Sequence, residues 1–139
     1  MEYFEFYLPA LAIAFARILL GVLLFYQGID KVFGLGIKRV SETYKQELNK
    51  AWIPSWVFPI TAHYSSWVEL IGGGLLILGL FKVVVLPLIA FDFLLVAMAM
   101  STMSPLWDMR HLFPRVVLLL LVMIVPFMID IFSLDHFLK

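Results

Sequence analysis

Cysteine is absent from this 139-residue chain, and charge is scarce: Asp, Glu, Lys and Arg make up 14% of it, ten basic residues against ten acidic. Without a thiol there is no disulfide, no thiol relay and no cysteine-ligated cluster, which excludes the four-helix thiol oxidoreductases of membranes. A net charge of zero leaves no electrostatic footprint for nucleic acid. Globular domains carry roughly 25% charged residues; here 63% of the chain is hydrophobic, more apolar surface than a soluble domain of this length could hide. Nucleophile elbow, phosphate loop and dinucleotide fingerprint are all missing. Gly72-Gly73-Gly74 sits inside an apolar run and not between a strand and a helix, so it is no phosphate cradle. The N-terminus, MEYFEFYLP, has two glutamates and no basic residue, unlike a cleaved signal peptide.

What is present is a set of four long apolar runs, at about residues 8–29, 61–80, 83–103 and 111–129. A membrane helix needs about 20 apolar residues, so the four use most of the chain and leave no room for a soluble domain. The expected fold class is all-α: a single integral membrane domain over residues 1–139, built as a polytopic four-transmembrane-helix bundle. Glycine and proline within the runs do not demote them, since membrane helices tolerate both. Pro126 is expected to kink the end of the fourth run. Only Phe81 and Lys82 separate the second and third runs, which makes them an antiparallel hairpin.

The long connection from Asp30 to Ile60 differs in kind. Ile37, Val40, Tyr44, Leu48 and Ala51 recur at three- and four-residue spacing, with Lys38, Arg39, Glu42, Lys45, Glu47 and Lys50 on the other side. This predicts an amphipathic helix over about 37–50, lying in the membrane interface with Trp52 and Trp56 as anchors, or else packed over the mouth of the bundle. Lysine and arginine concentrate on the face holding the first and third connections, as Lys31, Lys38, Arg39, Lys45, Lys50, Arg110 and Arg115; Lys82 and Lys139 lie opposite. The positive-inside rule then puts the long loop in the cytoplasm and both termini outside.

Arg17, Glu69 and Asp92 each stand in the middle of a different run. A charge at the bilayer centre costs roughly 2.5–3.5 kcal/mol on insertion scales, so each needs a partner or a purpose. Counted from the run ends at 1.5 Å per residue, Arg17 and Asp92 lie roughly 14 Å deep and Glu69 roughly 17 Å. Ala10, Ala14, Arg17, Gly21, Gly28 and Lys31 fall on one stripe of the first run. Ser65, Ser66, Glu69, Gly72 and Gly73 form a second, and small residues mark packing faces in membranes. The expectation is an intramembrane polar cluster of Arg17, Glu69 and Asp92, with Arg17 paired to Glu69 or Asp92 and an Arg17–Glu69 ion pair as the specific hypothesis. It holds the bundle together, or leaves an excess carboxyl able to take up a proton or a cation, or turns one acid toward a partner protein.

A second polar set lies toward the basic face: Gln27, Asp30, Lys31, His63, Tyr64, His111 and Arg115. Gln27, Lys31, His63, Tyr64, His111 and Arg115 are candidate contacts for a quinone carbonyl beside Trp67 and Phe113. Ordinary interface residues that snorkel or bind lipid headgroups would look the same. No His, Asp or Glu pair has convincing metal-ligand spacing, so no metal is expected.

Three segments carry a family resemblance. ARILLGVLLFYQGIDKVFG, with Arg17, Gly21, Gly28 and Lys31, is followed by VELIGGGLLILGL, with Glu69, Gly72, Gly73 and Gly79, and by a closing Ser133-Leu134-Asp135. Their order and spacing resemble the DoxX family of four-helix bacterial membrane proteins. Met128-Ile129-Asp130 stands where the family commonly has glycine-proline-glycine, and the first loop is longer than in the shorter members. The resemblance implies the bacterial inner membrane, other membrane subunits as partners, and a quinone-linked redox assembly to which this chain contributes no cofactor motif of its own. Whether the chain is itself catalytic does not follow. The alternatives are a non-catalytic structural subunit of a larger complex and a small proton-coupled transporter, the latter disfavoured by four spans without inverted repeats.

Overall fold

The computed structural model describes residues 2–48, 52–103, 110, 112–125 and 129–138. Every regular element among them is helical. Helix α1 (Glu2–Ile29) runs on through a π-helical turn, Asp30–Leu35, and Gly36 at φ 82° breaks it. Helix α2 (Ile37–Glu47) follows. The second apolar run is one continuous rod in three parts: α3 (Val57–Trp67), a π-helical turn (Val68–Gly72) and α4 (Gly73–Leu78). Helices α5 (Lys82–Met103), α6 (Phe113–Ile124) and the single turn α7 (Leu134–Phe137) follow. Among the described residues, two helices are long and apolar enough to cross a membrane, Tyr7–Leu35 and Lys82–Ala99.

The hairpin between α4 and α5 is closed by backbone chemistry. Gly79 adopts the left-handed conformation, its N–H donates to the Leu76 carbonyl, and the Leu80 N–H reaches back to Leu75. That pair of bonds is a Schellman cap, which satisfies carbonyls the helix end would leave bare. Phe81 follows at φ 52° and α5 begins at once.

The core is a band of branched aliphatics, Leu20 and Leu24 from α1, Leu76 from α4, Leu86 and Ile89 from α5, and Leu119 and Val122 from α6. α1 lies along α4 and the second π-helical turn and also against α6; α5 rests on that turn and on α6. The outward faces stay apolar, with Phe15, Leu88, Phe91, Leu94 and Val117 exposed. These are the side chains a hydrocarbon solvent would accept.

Two expected boundaries change. The fourth run, expected over 111–129, forms a helix of 12 residues ending at Ile124. Such a helix is about 18 Å long, short of the roughly 30 Å hydrocarbon core. Val125 is extended (φ −75°, ψ 130°) and precedes Pro126, and proline disfavours helical conformation in the residue before it. Pro126 itself lies outside the described residues. The expected amphipathic helix forms over Ile37–Glu47; Asn49, Lys50 and Ala51 are outside the described residues. α2 packs on α3, burying Val40 and Leu48 while Lys38, Arg39, Glu42 and Lys45 stay exposed.

Candidate functional site

Glycine sets the register between α1 and the second rod. A Cβ on Gly21 would lie 2.8 Å from the Gly73 carbonyl oxygen, one on Gly73 would lie 2.5 Å from the Phe25 nitrogen, and one on Gly28 would lie 2.5 Å from the Leu70 Cα. Backbones this close leave no room for a methyl group, and van der Waals contact replaces it. The antiparallel register places Arg17 beside Leu76 and Ile77, and Lys31 beside Ser65 and Glu69. Among the described residues, the buried charged groups therefore fall into two separate clusters.

The first cluster lies where both rods pass through their π-helical turns. Lys31 is on the turn that extends α1, Glu69 on the turn between α3 and α4. The Lys31 ammonium sits 2.8 Å from Glu69 Oε2 and donates to Ser65 Oγ at 3.1 Å. Asp92, on α5, has no exposed surface. It feels the Ser65 hydroxyl and the Lys31 charge, yet neither carboxylate oxygen reaches a hydrogen bond of normal geometry. Around this core, Arg115 of α6 donates to Gln27 Oε1 and acts electrostatically on Glu69. Tyr64 donates to the Leu88 carbonyl at 2.9 Å and stacks edge-on against Phe91.

The second cluster closes the other end. Arg17 Nε lies 3.0 Å from Asp130 Oδ2, and its terminal nitrogens donate to the carbonyls of Leu76, Ile77 and Phe132. The same Asp130 oxygen takes Lys82 Nζ at 2.8 Å, and Ser133 Oγ accepts from Lys82 at 2.9 Å. Asp135 accepts the N–H groups of Phe81 and Lys82, both at 2.9 Å, so one carboxylate from the C-terminal segment caps α5. Its own N–H donates to the Gly79 carbonyl.

Of the expected trio, the structure brings Glu69 and Asp92 together and puts Arg17 elsewhere. The expected Arg17–Glu69 pair is corrected: Arg17 pairs with Asp130, and Glu69 with Lys31. The physical reason is register. Glycine contacts slide α1 so that Arg17 meets the rod seven to eight residues past Glu69, roughly 11 Å away. Counting depth from the ends of apolar runs could not detect that slide.

Among the six candidate quinone contacts, Gln27, Lys31, Tyr64 and Arg115 gather around Glu69 and Asp92. His63 is exposed and bonds the Pro59 carbonyl on its own helix; His111 lies outside the described residues. Sequence reasoning missed Lys82, Asp130 and Ser133 as one buried network. The signal available was a lone acid, Asp130, just before Ser-Leu-Asp at the end of an apolar run. Among the described residues, no three His, Asp or Glu side chains converge as metal ligands would.

Comparison with curated proteins and with solved structures gives no match. The family model for DoxX matches residues 12–103, which takes in Arg17, Lys31, Glu69, Lys82 and Asp92. The chain belongs to the DoxX family.

Proposed function

We propose that this DoxX-family protein is an inner-membrane subunit of a quinone-linked redox assembly, receiving electrons from a partner subunit. One observation carries the reading: hydrogen-bond donors and buried acids meet at one place among apolar helices. Reducing a quinone to a quinol takes two electrons and two protons, so a site for it needs donors for the carbonyl oxygens and groups that can pass protons. Arg115 offers five N–H donors and, among the described residues, spends one on Gln27. Exposed Phe113 and Trp67 lie on the helices that carry Arg115 and Glu69 and supply flat apolar surface. Quinone would meet the protein at Arg115; the chemistry it supplies when bound is reversible two-electron transfer.

Orientation follows from the same end of the molecule. Lys31 leads directly into α2, whose Lys38, Arg39 and Lys45 are exposed, so the donor end faces the cytoplasm and both termini lie outside. α2, with Trp52 and Trp56 after it, rests at headgroup depth. The test is the quinone content of the protein purified from native membranes in mild detergent. An Arg115→Leu variant that folds normally carries at least tenfold less quinone; equal quinone in both proteins would overturn the reading.

A second reading is favoured by one feature. The exposed charged face of α2, beside exposed Trp52 and Trp56, is suited to docking a membrane partner. A purely structural subunit would co-purify with a large complex whose activity is unmoved by Arg115→Leu.

A further inference from the structure

We propose that the turn between α4 and α5 is immersed in the acyl chains of the bilayer, so that this end of the bundle stops short of the water beyond it. The first observation is one of level. Gly21 of α1 packs against the Ile77 backbone and Gly28 against Leu70, so α1 and the second rod run antiparallel in fixed register. Gly79 and Phe81 then lie at about the level of Arg17, whose guanidinium bonds the carbonyls of Leu76 and Ile77. α6 stops near the same level, because Ile124 is nine residues past Arg115, which bonds Gln27. α1 alone runs on as a long helix, with Leu8, Leu11 and Phe15 exposed. Leu8 is nine residues from Arg17, roughly 14 Å along the helix. A bilayer that ended at the turn would leave those apolar side chains in water. One that covers Leu8 takes in the turn as well.

The surface of the turn agrees. Phe81 is 65% exposed, Val83 68% and Val84 59%. Among the described residues of 75–91 and 129–138, no Lys, Arg, Asp or Glu side chain is exposed. A lysine at a water boundary snorkels outward; Lys82 is instead 2% exposed and drawn inward to Asp130 and Ser133. His136 of α7 is exposed, and its ring presents an apolar body behind a polar tip. The apolar patch runs on into the exposed faces of α1 and α5, at Phe15 and Leu88. A solvent that covers those faces covers the turn too, which makes hydrocarbon the occupant.

Backbone chemistry is an independent observation. Non-helical backbone is tolerated at membrane depth only where the protein satisfies its polar groups. Here Gly79 and Leu80 donate back into α4, Asp135 accepts the N–H groups of Phe81 and Lys82, and the Gly79 carbonyl accepts from Asp135. A turn facing water could leave such groups to solvent. The inference goes beyond the quinone reading and does not depend on it; it rests on α1 as a membrane span.

The chain has no cysteine, so a single introduced thiol reports without background. The test is nitroxide labelling of Phe81→Cys in the full chain, reconstituted in phosphatidylcholine vesicles, with collision rates measured by electron paramagnetic resonance. Oxygen concentrates in hydrocarbon and a nickel chelate stays in water. Leu88→Cys serves as the lipid reference and Lys45→Cys, on exposed α2, as the water reference. The label at Phe81 is expected to meet oxygen several-fold more often than nickel, as at Leu88. Should Phe81→Cys fail to fold, Val83→Cys reads the same surface. Nickel contact equal to that at Lys45 would put the turn in water and overturn the proposal. Low contact with both reagents would overturn it too, by showing protein where lipid is assigned.

Discussion

Arg17 and Asp130 come from opposite ends of the chain and meet inside it, with Nε and Oδ2 3.0 Å apart and both side chains buried. Asp130 also holds Lys82 at 2.8 Å, so one carboxylate ties α1, the start of α5 and the C-terminal segment together. Replacing it with an isostere leaves two buried cations without their acid. Breaking a buried pair from one side costs about 3–5 kcal/mol. Asp130→Asn is therefore expected to lower the thermal midpoint in detergent by many degrees, read by circular dichroism. A midpoint unchanged within error would show that the pair holds nothing.

Asp135 caps α5 from a distant part of the chain, accepting two backbone N–H groups that the helix start leaves bare. Loss of a capping side chain costs about 0.5–2 kcal/mol. Asp135→Ala should fall in that range, and Asp135→Asn, which keeps one acceptor, should lose less. Denaturation of the three proteins in one detergent gives the order; equal stability would remove the cap from the account.

The glycine contacts make a sharper prediction. Gly28 and Gly73 would each drive a Cβ into backbone at 2.5 Å, where nothing flexible can yield. Overpacking of this kind costs about 1–3 kcal/mol, and more where backbone must move. Gly34, whose Cβ would first meet Asp30 at 3.6 Å, is the control. Gly28→Ala and Gly73→Ala should lower stability while Gly34→Ala leaves it level, measured by thermal aggregation in detergent.

How much of this was legible in the sequence divides along the same physics. Apolar runs located α1, α5 and the rod from Val57 to Leu78, because burial in hydrocarbon demands unbroken hydrophobic stretches. The 3.6-residue spacing located α2. The rotational stripe correctly turned Arg17, Gly21, Gly28 and Lys31 to one packing face. What it could not supply was the slide of one helix along another, which depends on which glycine meets which backbone atom. That slide moved Arg17 away from Glu69 and brought Lys31 to it. The π-helical turns leave no periodicity mark in windows this short. Asp130 was visible only as a departure from the family's glycine-proline-glycine, although its charge, in an apolar setting, was the clue to the partner of Arg17.

The separation of the two clusters, Lys31–Glu69–Asp92 and Arg17–Asp130–Lys82, is tested most directly by a pair of double-mutant cycles on folding stability. Residues in contact within one ionic network couple by about 0.5–3 kcal/mol, whereas distant sites add independently. Lys31→Met combined with Glu69→Gln should show coupling in that range, and Arg17→Met combined with Glu69→Gln should show none. Strong coupling between Arg17 and Glu69, with Lys31 and Glu69 additive, would contradict the arrangement described.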